Sequence, residues 1–143
     1  MSQSAFAASS GSAPTPFPIE GYQPGVCNIG PAEIARRRRA GHIGLVAAVV
    51  LFAVLVAIDA PPVARLLVAV PAIMSASGYL QAFFKFCAGF GSRGIFNFGE
   101  VGPTEQVADE ASRAADRAKS RQIGLASFAI GILVGVVAVL LPV

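Results

Sequence analysis

Tryptophan is absent from this 143-residue chain, and cysteine, histidine and tyrosine number only two, one and two. Each shortage closes a class of chemistry. Two cysteines and one histidine cannot supply the four Cys and His ligands of a structural zinc site within one chain. A Ser-His-Asp triad would have to take His42 as its base, yet His42 stands beside a run of arginines at the head of an apolar stretch. Ten Phe against two Tyr favour apolar packing over base stacking, so nucleic acid is not an expected partner. Charge is also scarce: Asp, Glu, Lys and Arg make up 13% of the residues, about half of the roughly 25% found in soluble domains. With 55% hydrophobic residues and a mean hydropathy of +0.66, a soluble core of this size could not hide the apolar surface. The composition implies a membrane protein.

The apolar residues are gathered into three runs. Residues 1–29 come before them and read as a flexible cytoplasmic tail rich in Pro, Ser and Ala. Pro14, Pro16, Pro18 and Pro24 favour extended chain there. The tail has no basic leader and no long apolar stretch, so it is not read as a secretory signal. On a partner it could lie as an extended strap. Gly30-Pro31-Ala32-Glu33 is a helix start, with proline at the first helical position and an acid facing the positive dipole end. No breaker follows until Pro61-Pro62, so one helix is expected from about 31 to 59, crossing the membrane over about 41–60. A tight turn leads to a second span at about 64–84. Pro71 is expected to kink it, and Ser75, Ser77, Gly78 and Gln81 give its later half a small, polar face suited to another helix. Residues 30–102 are thus a transmembrane helical hairpin closed by an interfacial Phe/Gly loop, in which Phe83, Phe84, Phe86, Phe90, Phe96 and Phe98 suit the headgroup boundary.

Residues 103–143 read as a charged cytoplasmic helix (103–121) followed by a third span (about 122–142). With no breaker at Arg121-Gln122, the two can run on as one rod of about 60 Å. Spacing pairs Asp109 with Arg113 and Asp116 with Lys119 on its surface, while Val107, Ala111, Ala114 and Ala118 make a narrow stripe. Ten of the eleven basic residues fall on one side of the three spans, led by the anchor Arg36, Arg37, Arg38 and Arg39; only Arg65 falls on the other. The positive-inside rule then makes the chain a multi-pass protein with its N-terminus cytoplasmic and its C-terminus outside. The expected fold is an all-α membrane protein with three transmembrane helices.

Four features invite functional readings. Gly89-Phe90-Gly91-Ser92-Arg93-Gly94 matches G-x-G-x-x-G, but no strand precedes it, so an interfacial loop is expected rather than a dinucleotide cradle. Ser127, Gly131 and Gly135, with Ser75 and Gly78 on the second span, are candidate helix-packing residues. Cys27 and Cys87 share the cytoplasmic side, where a stable disulfide is not expected, and are candidate reactive thiols. Asp59 and Arg65 either pair across the outer turn or reach separately to the interface. No charge lies deep in a span to carry ions, and neither a cofactor nor a metal is expected.

Asn28-Ile29-Gly30, followed by Glu33, Arg36, Arg39 and Gly41, and closed by Phe86-Cys87 with its glycines, resembles the YgaP-like transmembrane-domain family over about residues 26–100. These are small bacterial inner-membrane hairpins. The resemblance implies the hairpin topology and an associating, non-catalytic unit. The chain lacks the rhodanese domain that a sulfur-transfer role would need, and it adds a charged helix and a third span. The expectation is a non-catalytic accessory or structural subunit beside a larger respiratory or other energy-transducing membrane complex. Its expected partners are other membrane subunits, lipid and a possible second copy. A cysteine-based redox or sulfur-handling protein and a small oligomeric pore lined by Ser75 and Ser77 are the alternatives.

Overall fold

The computed structural model describes residues 21–143, so the first twenty residues of the expected tail lie outside it. Three helices are long and apolar enough to cross a membrane. Helix α1 spans Pro31–Ala57, with Pro31 at its first position and Glu33 in its first turn. It ends where Asp59 takes a left-handed conformation (φ 56°) ahead of Pro61 and Pro62. A 3-10 segment, Pro62–Val68, leads directly into α2, Ala69–Phe84. The expected kink at Pro71 is therefore a change of helix type two residues earlier. Pro71 sits in the first α-turn, where its missing N–H costs nothing and the tighter helix before it spares the ring a clash. Lys85 closes α2 in a left-handed conformation, with the Phe86 amide donating back to the Gln81 carbonyl.

The segment after α2 corrects the expectation of an open interfacial loop. It forms a short helix, α3 (Ala88–Arg93), and a strand, β1 (Ile95–Phe96), paired antiparallel with β2 (Glu105–Gln106). Phe86 and Phe96 are 0% and 1% exposed, so they are core residues of the protein itself. Phe86 packs against Gly91 of α3, and Phe96 is covered from the stretch 21–29, read from sequence as part of a flexible tail. Tyr22 stacks on Phe96 with ring centroids 5.0 Å apart, Ile29 is buried, and Ile29 bridges Asn97 in parallel.

Helix α4 spans Glu110–Leu140 without a break, so the charged and apolar parts are indeed one rod. It starts later than expected, because residues 103–109 hold β2 and the approach to an Asp109 cap. Thirty-one residues make it about 46 Å long at about 1.5 Å per residue. Its buried face is Asp116, Ser120, Ile123, Ser127, Gly131, Gly135 and Ala138. The alanine stripe at 111, 114 and 118 faces outward instead. Helix α2 is central, packed against α1 on one side and α4 on the other.

Small residues set both seams. A Cβ built on Gly78 would touch the Gly41 amide and lie 2.7 Å from the Arg37 carbonyl, and one on Gly44 would lie 2.6 Å from the Ser75 amide. On α4, Gly131 rests against Ile73 and Gly135 against Ala69. Ser75 donates to the Gly41 carbonyl (2.9 Å) and Ser127 to the Ile123 carbonyl (2.7 Å). Such close backbone approach is how apolar helices gain contact where no hydrophobic force separates lipid from protein. Ser75, Gly78, Gly131 and Gly135 lie in these seams within one chain, and Ser127 is buried on the same face of α4. Ser75, offered as a pore-lining residue, is turned into the hairpin.

Candidate functional site

The chemistry-bearing side chains gather at one end, where α1 begins, α2 ends and α4 begins. Asn28 is the centre. Its Oδ1 accepts from the Cys87 amide (2.7 Å) and its Nδ2 donates to the Cys87 carbonyl (3.1 Å). Its backbone amide donates to the Lys85 carbonyl (3.2 Å), and its carbonyl accepts from the Asn97 amide (3.0 Å). A fully buried residue thus spends both side-chain and both backbone groups on joining the N-terminal stretch to the end of α2 and to Asn97 just past β1. Gln81 continues the knot by accepting from the Ala88 amide (3.0 Å).

Beside it, Glu33 is 1% exposed and faces Arg37 at 3.4 Å and Arg36 at 3.7 Å. Arg37 also donates to the Cys87 sulfur (2.9 Å) and lies over the Phe90 ring. The arginine run is therefore two things at once: Arg38 and Arg39 are exposed, while Arg37 is built into the fold. The Cys87 sulfur accepts a second bond from the Phe90 amide (3.4 Å), capping α3. Cys27 is half-buried, and burial pushes its thiol up from the ordinary range. We expect iodoacetamide to alkylate Cys27 slowly at neutral pH, with the rate rising only above the usual thiol range, and Cys87 to react only after unfolding. Mass spectrometry of alkylated peptides checks this. Fast labelling of Cys87 in the folded protein would contradict the geometry.

A second knot fastens the N-terminal stretch to α4. Asp116, 0% exposed, accepts from the Tyr22 hydroxyl (2.7 Å) and the Gly25 amide (2.7 Å). Burial raises the Tyr22 hydroxyl above its ordinary range, with the bonded Asp116 carboxylate adding to the effect. The surface ion pairs expected along α4 are replaced. Asp109 caps the helix by accepting from Ser112, which holds its carboxyl below the usual range. Arg113 donates to the Val107 carbonyl (2.6 Å), Arg117 reaches Glu110 (2.6 Å), and Lys119 stands 3.9 Å over the Phe84 ring. No charge run of this kind reveals from sequence which of its members turns inward.

The G-x-G-x-x-G match lies in α3 and its cap. Gly91 packs on Ser120 and Phe86, and Gly94 ends the helix at φ 70°, so the glycines serve close packing and a turn. The only sheet among the described residues is two-stranded and antiparallel, the wrong setting for a dinucleotide cradle. At the opposite end, Arg65 neither pairs with Asp59 nor reaches outward. It is 6% exposed and donates to the Leu141 carbonyl (2.9 Å) and the Val143 carbonyl, tying the hairpin turn to the end of α4. His42 lies against Tyr79, with Nδ1 and the hydroxyl 2.5 Å apart. Among the described residues no three His, Cys, Asp or Glu side chains converge as a metal site. No family model, curated protein or solved structure matches the chain.

Proposed function

We propose that the chain is an integral protein of a bacterial inner membrane, N-terminus cytoplasmic and C-terminus outside, and acts there as a non-catalytic accessory subunit of a larger membrane complex. One observation carries this reading. Among the described residues the buried polar side-chain atoms are bound to backbone or to one another, save the Nε atoms of Arg37 and Arg65. The polar interior is committed to holding three helices and the N-terminal stretch in place. The outward faces are apolar instead, with Ile43, Val46, Val50 and Val54 of α1 and Leu125, Phe128 and Leu133 of α4 all exposed. The bonds from Asn28 to Cys87 also join the opening and closing motifs of the YgaP-like resemblance, which supports reading 26–100 as an associating hairpin.

Purification of the tagged full chain in mild detergent, with identification of co-migrating proteins, tests the reading. A stoichiometric membrane subunit is expected, retained by wild type and lost on Val50→Trp, which adds bulk to the outward face of α1. A homodimer without companions, or companions indifferent to that face, would overturn it.

A further inference from the structure

Between α3 and α4, at the charged end, lies an open cleft of about 520 Å³ lined by Ala88, Gly89 and Ser92 on one side and Arg117, Ser120 and Arg121 on the other. It borders the knots above through the Ala88 amide and the Arg117–Glu110 pair. We propose that this cleft binds the phosphodiester headgroup of an anionic lipid, a proposal that rests on the reading of the chain as membrane-spanning.

Its level is fixed twice, independently. Arg121 stands two residues before the apolar run of α4 that begins at Ile123. Lys119, on the same turn, caps the ring of Phe84, the last residue of α2, beside the 78% exposed Phe83. Both markers put the cleft mouth where lipid phosphates sit and where aromatic rings meet the headgroups.

Its donors are guanidinium groups. The Ser120 hydroxyl proton is spent on the Asp116 carbonyl (2.8 Å) and that of Ser92 on the Gly89 carbonyl (3.0 Å). Arg117 is exposed and bonded to Glu110, whereas Arg121 is exposed and has no carboxylate partner among the described residues. The lining carries two arginines, one of them paired with Glu110, and the Arg93 guanidinium stands beside Gly89, so positive charge is in excess. That balance suits a headgroup of net −1 and leaves a zwitterionic one with an uncompensated cation near the guanidiniums. Arginine presents paired N–H groups that match two phosphate oxygens. The aliphatic wall at Ala88 and Gly89 suits a glycerol backbone better than a hydrated free phosphate.

Native mass spectrometry of the full chain in detergent, with added dioleoylphosphatidylglycerol or dioleoylphosphatidylcholine, tests this. Phosphatidylglycerol adducts are expected to exceed phosphatidylcholine adducts about thirtyfold, what two basic side chains contribute at an anionic surface. R117Q/R121Q should erase the preference, E110Q should raise it, and Ser92→Phe should lower it by filling the cleft without changing charge. R38Q/R39Q removes two exposed arginines elsewhere at the same end and should keep most of it. Equal loss in R38Q/R39Q and R117Q/R121Q would reduce the effect to general attraction and overturn the site. Displacement of the lipid by millimolar inorganic phosphate would overturn the lipid as occupant. Extraction of the chain from membranes by alkaline carbonate would instead remove the membrane-spanning reading itself.

Discussion

Gly78→Val is expected to lower the thermal unfolding midpoint of the detergent-solubilised protein by more than any other single change in the seams. The new Cβ would meet the Gly41 amide and lie 2.7 Å from the Arg37 carbonyl, both main-chain atoms of a helix that cannot swing aside. Relief requires the two helices to part along their length, because α1 and α2 are rigid rods in contact. Overpacking of this kind costs about 3 kcal/mol or more. The parting would also break the Ser75 bond to the Gly41 carbonyl. Gly124→Ala is the matched control. A Cβ at Gly124 has nothing within 4 Å, and alanine in a helix gains up to about 1 kcal/mol over glycine. Circular dichroism melts of the two variants should therefore move in opposite directions. Equal midpoints would show that the hairpin seam is looser than its distances state.

Asn28→Ala should rank close behind. It orphans the Cys87 amide and carbonyl together in a fully buried place, and two unsatisfied groups at about 1–3 kcal/mol each make a loss of about 3 kcal/mol. Asn28→Asp separates the two bonds. It keeps an acceptor for the Cys87 amide but aims a carboxylate at the Cys87 carbonyl. The nearby Arg37 guanidinium is already engaged by Glu33 and the Cys87 sulfur, so burial raises such a carboxyl's folded pKa above the unfolded value of about 3.9. The folded state then binds the proton more readily, so Asn28→Asp recovers stability as pH falls through the folded value and is least stable at neutral pH. Denaturation midpoints of both variants at pH 4.5 and 7.5 check the sign. A pH-independent deficit in Asn28→Asp would mean that the Nδ2 bond contributes little.

The three long helices were legible because hydropathy and helix punctuation are local signals. Pro31 and Glu33 mark the start of α1, and Pro61-Pro62 its exit, within two residues of where the backbone turns. Gly131 and Gly135 were legible as packing residues from spacing alone. Gly41 and Gly44 carry the same signal three residues apart, but the arginine run beside them drew the reading toward topology. The docking of 21–30 was not legible. It has no period, and its long bonds run from Asn28 to Cys87, 59 positions on, and from Tyr22 to Asp116, 94 positions on. Asp116 in a solvated-looking helix is indistinguishable from a surface acid until Tyr22 and Gly25 arrive. Phe86 and Phe96 fit a headgroup boundary by composition, and only α3 packed on the first and Tyr22 stacked on the second make them core. Arg65 was misread for a related reason: the carbonyls that hold it belong to the far end of another helix.

The Tyr22 to Asp116 bond spans 94 positions of the chain, and that distance is also a delay. A ribosome adding about 5–20 residues per second leaves Tyr22 waiting about 5–20 s for its acceptor to be made. Once Phe84 has been made, about two-thirds of the way through that interval, α1 and α2 can close on each other, since the residues of their seam are then present. Asn28 finds Cys87 next, and the clasp on α4 comes last. The order of synthesis thus makes the N-terminal stretch the finishing piece of assembly, and a chain stalled before Asp116 keeps its Tyr22 end free for quality-control proteases to grip.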